Sequence, residues 1–126
     1  TGLSWVWITQ AIDKIIKTDT SGNIIWSTSS SQYLIDVAEL SDGNFVIGGH
    51  SGSAEKIVKL DNQGSIIWEK NYDSVDGNLR SITKDGDGFV AIGNGGSSSS
   101  GPMYISRFNN DGDLSWNNYF GQDEEK

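Results

Sequence analysis

Short apolar clusters alternate along the chain with turns built from Gly, Asn, Asp and Ser, and one arrangement of the two is written three times. The middle copy reads Lys-Ile-Val-Lys-Leu-Asp-Asn-Gln-Gly-Ser-Ile-Ile-Trp and ends at Trp68; the earlier copy ends at Trp26 and the later one at Trp116. Each reads as a strand, an Asp or Asn turn closed by Gly, and a second strand that reaches Trp. The repeated positions are Asp19, Gly22 and Trp26, then Asp61, Gly64 and Trp68, then Asn109, Gly112 and Trp116. Gly at the end of the turn supplies the positive φ that closes a tight hairpin.

Between these copies lie further strand signals. Residues 32–39 place Tyr33, Ile35 and Val37 alternately with polar neighbours, the period of a half-buried strand. The Asp-Gly turn at Ser41-Asp42-Gly43-Asn44 leads into Phe45-Val46-Ile47-Gly48-Gly49, and Lys84-Asp85-Gly86-Asp87-Gly88 leads likewise into Phe89-Val90-Ala91-Ile92-Gly93. Both Phe-Val strands are apolar at consecutive positions, as expected of a strand covered on both faces. Trp26 and Trp68 are 42 positions apart and Trp68 and Trp116 are 48 apart, a period typical of propellers and solenoids. The Gly/Ser-rich stretch from Asn94 to Gly101 accounts for the longer second interval and reads as a flexible linker.

Four strands per unit make a propeller blade. The expected fold is therefore all-β, with blades of four antiparallel strands and roughly three blades in the chain. The expected division is a partial blade at 1–10, blades at 11–53 and 54–101, and a partial blade at 102–126, holding one, four, four and two strands. Three blades are fewer than the four to eight of a closed ring. Their end faces would leave apolar surface and strand edges unpaired. This predicts association of several copies, a dimer in the simplest case, with the first strand of one chain completing the two-stranded last unit of another.

Asp61, Gly64 and Trp68, with the same Gly-to-Trp spacing at Gly22/Trp26 and Gly112/Trp116, resemble the tryptophan-docking repeats of propellers of the pyrroloquinoline-quinone dehydrogenase type. The stretch Lys-x-Asp-x-x-Gly-x-x-x-Trp followed by Asp-Gly-Phe-Val-x-x-Gly is more similar still to propeller repeats of uncharacterised prokaryotic surface proteins. The resemblance implies that each Trp packs against the neighbouring blade, and it implies an extracellular or cell-surface location. The Asp-to-Gly turn is one residue shorter than in the dehydrogenases, and Asn109 replaces the first Asp in the third copy. No residues match that family's quinone or calcium ligands, so no cofactor is implied.

Composition narrows the function. A formal net charge of -8, with no cluster of Lys or Arg, is unsuited to gripping a phosphate backbone, and no nucleic-acid partner is expected. The Asp123-Glu124-Glu125 cluster reads as a solvated tail. No apolar run approaches a membrane span and no signal-peptide pattern occurs. The first residue is Thr rather than Met, which suggests a processed or excised product. With no Cys there is neither a disulfide nor a thiolate site.

Candidate chemistry is sparse. His50, the one His, follows a Phe-Val strand among Gly and Ser and reads as an exposed loop residue; no nucleophile motif accompanies it, so no catalytic site and no enzymatic activity are expected. Asp85-Gly86-Asp87-Gly88 and Asn109-Asn110-Asp111-Gly112-Asp113 offer clustered oxygens, as calcium loops do, but hairpin geometry already explains them and no metal site is assigned. Trp26, Trp68 and Trp116 read as core. Trp5, Trp7, Tyr72 and Tyr119 are left as surface aromatics on which a sugar ring could stack. The expected function is a non-enzymatic binding or structural module, with a lectin-like glycan binder or a filament or surface-layer subunit as alternatives; its ligand would be a glycan or a protein.

Overall fold

The computed structural model describes residues 4–9, 14–29, 33–51, 54–95 and 102–120, with side chains for all of these except 4–9, 33, 51, 73–77 and 95. The described residues form ten strands and no helix: β1 (Ser4–Thr9), β2 (Lys14–Asp19), β3 (Ile24–Ser29), β4 (Tyr33–Glu39), β5 (Phe45–Ser51), β6 (Ala54–Leu60), β7 (Ile66–Asp85), β8 (Gly88–Gly95), β9 (Met103–Asn109) and β10 (Leu114–Phe120). The all-β expectation holds. Every pairing is antiparallel between chain neighbours. The Asn94–Gly101 linker and the Asp123–Glu125 cluster lie largely or wholly outside the described residues.

The first sheet has the order β1-β2-β3, and the remaining strands follow one another as β4 to β10. β7 serves two layers, because residues 66–76 pair with β6 and residues 77–85 pair with β8. The result is a three-stranded first sheet, a four-stranded second sheet of β4, β5, β6 and the first part of β7, and a four-stranded third sheet of the rest of β7, β8, β9 and β10. The last unit is therefore not two-stranded, and it needs no strand from another chain to reach four. The sheets are also phased differently from the units drawn at 11–53 and 54–101, since a sequence period fixes the length of a repeat but not where a sheet begins.

The second sheet lies between the other two. Side chains at successive strand positions point to opposite faces, so β5 sends Phe45 and Ile47 one way and Val46 the other. Phe45, Ile47, Val58 and Leu60 pack with Ile15 of the first sheet and Leu34. Val46 and Ile57 pack with Leu79, Ile82, Phe89, Ala91 and Phe108 of the third sheet. β5 is consequently buried along its length from Phe45 to Gly49, as its unbroken apolar pattern foretells. Gly48 sits where the second and third sheets approach closely, and a Cβ there would lie 2.6 Å from Leu79 Cδ1. In the third sheet the pattern changes: Phe89, Ala91 and Gly93 are buried while Val90 and Ile92 are half-buried. That outer face has no described neighbour.

Candidate functional site

The three Gly-closed hairpins share one construction. Gly22 N–H donates to the Asp19 carbonyl, Gly64 N–H to that of Asp61, and Gly112 N–H to that of Asn109. The side-chain Oδ1 at the head of each turn accepts two backbone N–H groups, from Ser21 and Asn23, from Gln63 and Ser65, and from Asp111 and Asp113. Because one neutral acceptor oxygen suffices for this, Asn109 replaces Asp without altering the turn. The turn glycines have φ of 90°, 90° and 85°. A register shift follows each turn at the same place, and it sets Lys17 opposite Trp26, Lys59 opposite Trp68 and Arg107 opposite Trp116. Each hairpin thus presents an indole and a cation side by side on one face.

Two of these pairs grip the turn of the following sheet. The Trp26 ring lies over Gly64, where an added Cβ would come within 2.7 Å of Cδ2, and its Nε1 donates to the Asn62 carbonyl at 3.0 Å. Lys17 Nζ donates to Asn62 Oδ1 at 2.7 Å, and Thr28 Oγ1 donates to the Gly64 carbonyl at 2.6 Å. The Trp68 ring covers Gly112 in the same manner, with an added Cβ 2.7 Å from Cζ2. Lys59 Nζ donates to the Asn110 carbonyl at 2.6 Å and Tyr72 OH to the Gly112 carbonyl at 2.6 Å. Lys59 is also held at 2.9 Å by Asp42 in its own sheet, which lets a buried ammonium keep a counter-charge. The Asp42 carboxyl is held below the ordinary range: burial, the largest influence, opposes this, and the Lys59 and Asn44 hydrogen bonds overcome it.

Among the described residues the third pair has no turn to grip. Trp116 shares the outer face of the third sheet with Arg107 and is 46% exposed, so it is not the core residue its repeat position suggests. Arg107 is held by Asp85 at 3.2 Å and Asp87 at 3.3 Å. Those carboxylates are thereby accounted for, and among the described residues no group of three His, Cys, Asp or Glu is placed to hold a metal ion. At the opposite end of the molecule, no described atom lies within 4 Å of a Cβ built on Gly22, whereas Gly64 and Gly112 are covered. Among the described residues there are therefore two filled docks, one indole with no turn beneath it and one turn with no indole above it.

The other aromatics divide differently from expectation. Tyr72 is a joint residue rather than a surface platform: it is half-buried, edge-on to Phe108 with centroids 4.8 Å apart. Tyr119 is partly exposed beside Tyr104. Trp5 pairs with Thr18 and Trp7 with Ile16 in backbone register, and their side chains are outside the described set. His50 is not in a loop; it is a half-buried residue of β5 paired with Glu55 and Tyr33.

Glu55 is the site residue that the sequence did not reveal. It is fully buried on the face of β6 turned to the third sheet, where Tyr104 OH donates to its Oε2 at 2.7 Å. Its other oxygen is buried without a hydrogen-bond partner among the described residues. Burial raises the Glu55 carboxyl from 4.5 to about 7, with the Tyr104 hydrogen bond opposing. Burial and the neighbouring Glu55 charge push both the Tyr72 and Tyr104 hydroxyls well above the ordinary phenol range. The only sequence signal was an acidic residue at the inward parity of an otherwise covered strand.

No protein-family model and no curated protein matches the sequence. Among solved structures, the chain is similar to a crystal structure of a protein of unknown function from Bacteroides caccae, at 13% identity and a TM-score of 0.62. The match covers 92% of this chain and 45% of that one, so the chain spans a little under half the length of its structural neighbour. The two share a fold; the similarity assigns no activity.

Proposed function

We propose that the chain is a non-enzymatic binding or structural module of β-propeller type, whose sheets act as blades and whose copies associate to close the ring, outside the cell or on its surface. The observation that carries this reading is the repeated dock: Trp26 and Trp68 each cover the turn glycine of the next sheet, and among the described residues one further indole and one further turn of the same kind have no such partner. Four-stranded antiparallel meanders stacked face to face suit blades. The resemblance of the Asp-Gly-Trp repeats to tryptophan-docking propellers supports the same reading. Class averages from electron micrographs test it. Rings of stacked blades are expected, whereas extended fibres would favour a filament subunit built from non-closing contacts, and single small particles would refute both.

A glycan-binding reading is favoured by one observation. Met103, Trp116 and Phe120, all substantially exposed, share the outer face of the third sheet and form an aromatic, apolar surface on which a sugar ring could stack. Signal on a glycan array together with quenching of Trp fluorescence by the same sugar would establish it, and silence in both would remove it.

A further inference from the structure

We infer that the partner which covers Trp116 is the residue 19–23 turn of a second copy of this chain, in a head-to-tail joint that repeats the two internal docks. This rests on the proposed association of copies and specifies its chemistry. The occupant follows from complementarity present within one molecule. The chain makes a plug and a socket of one kind three times each, joins them twice internally, and leaves one of each uncovered. The uncovered plug is on the last sheet and the uncovered socket on the first. A second copy presents a turn already shaped for this indole.

The internal docks specify the joint residue by residue. Trp26 sits over Gly64 and donates to the carbonyl one residue after Asp61. The equivalent contacts put Trp116 over Gly22 of the second copy, with its Nε1 donating to the Thr20 carbonyl. Lys59 bridges Asp42 of its own sheet and the carbonyl one residue after Asn109. Arg107, already held by Asp85 and Asp87, has the same relation to Thr20. Asn118, two residues beyond Trp116 as Thr28 is beyond Trp26, faces the Gly22 carbonyl in place of the Thr28 hydroxyl. Around these contacts, Val90, Ile92, Ile105 and Phe120 share the outer face by register and provide the apolar area that an exposed joint needs.

The test uses two single variants and their mixture, followed by light scattering over a concentration series. Trp116→Ala removes the plug, and Gly22→Asn fills the socket with a side chain that tolerates positive φ. Each variant alone should self-associate roughly thirtyfold or more weakly than the unaltered chain, the effect of losing a central Trp at an interface. An equimolar mixture should regain association, because the intact socket of Trp116→Ala accepts the intact plug of Gly22→Asn. Circular dichroism and thermal unfolding of dilute Trp116→Ala should show a folded monomer, so that lost association is not lost folding. If the unaltered chain associates but Trp116→Ala associates as strongly, or the mixture gains nothing over its components, this joint is wrong while association of copies stands. If the unaltered chain is monomeric throughout, association of copies fails and the joint fails with it.

Discussion

Replacing Glu55 with Gln should make the protein more stable at neutral and alkaline pH, and the gain should grow as pH rises. The Glu55 carboxyl is fully buried between the second and third sheets with one oxygen unpaired among the described residues, and burial lifts it from 4.5 to about 7. A carboxyl that titrates higher in the folded than in the unfolded chain binds its proton more tightly when folded. The associated stability is complete below pH 4.5 and disappears as pH rises through about 7. The interval from 4.5 to about 7, at about 1.4 kcal/mol per pH unit, amounts to about 3 kcal/mol. Gln keeps an oxygen to accept the Tyr104 hydroxyl and carries no charge to desolvate. Urea unfolding of both chains at intervals from pH 4 to pH 9 measures the effect, and the difference between the two curves removes the contribution of groups distant from Glu55. The two should differ least near pH 4, and Glu55→Gln should gain about 3 kcal/mol by pH 8 to 9. Parallel pH profiles would refute the account of a buried, uncompensated carboxylate.

Four further outcomes follow from the docks and the polar core. Gly22→Ala and Gly64→Ala share the same backbone strain at φ 90°, but only Gly64 is covered by an indole. Gly64→Ala should therefore cost about 1–3 kcal/mol more in chemical unfolding, the usual penalty for overpacking. Trp68→Ala should cost about 3 kcal/mol, as for a large aromatic truncated within a packed joint, while Trp116→Ala should cost monomer stability about 1 kcal/mol or less, because nearly half of its surface is exposed and no turn lies beneath it among the described residues. Asn109→Asp keeps the acceptor oxygen of the turn but replaces the Asn109 Nδ2 donation to Asp113 Oδ2 with carboxylate against carboxylate, so it should destabilise by about 0.5–1 kcal/mol at neutral pH in chemical unfolding, an effect that fades in acid. Tyr104→Phe removes the donor to Glu55 Oε2 and should destabilise by about 1–3 kcal/mol above pH 7, where the carboxylate is charged, with a smaller effect below pH 5.

Much of this architecture was legible because local chemistry and tertiary role coincide in the hairpins. An Asp or Asn that accepts two N–H groups, a Gly at positive φ and a Trp four residues later define each turn wherever the hairpin sits. The unbroken apolar run of Phe45 to Gly49 likewise foretells burial on both faces. The grouping of strands into sheets was not legible, because the repeat period sets the length of a unit but not the strand at which a sheet begins, and β7 passes from one layer to the next at Asp76-Gly77 while remaining extended. Trp116 has the same local sequence role as Trp26 and Trp68, and only the absence of a following sheet among the described residues makes it exposed. The half-burial of Tyr72 and His50 is not legible in the sequence because neither lies in a strongly alternating stretch. Glu55 escaped notice because a Glu next to Lys56 reads as a solvated pair, whereas strand parity separates them: Lys56 turns to Glu69 and Glu55 to Tyr104.

The mass of the protein in solution bears most directly on whether its uncovered ends are joined by further copies. Sedimentation or light scattering of the unaltered chain at rising concentration should give a limiting mass that is a whole multiple of 13.7 kDa, twice that value in the simplest closed form. A folded species that stays at 13.7 kDa across the range would contradict the account.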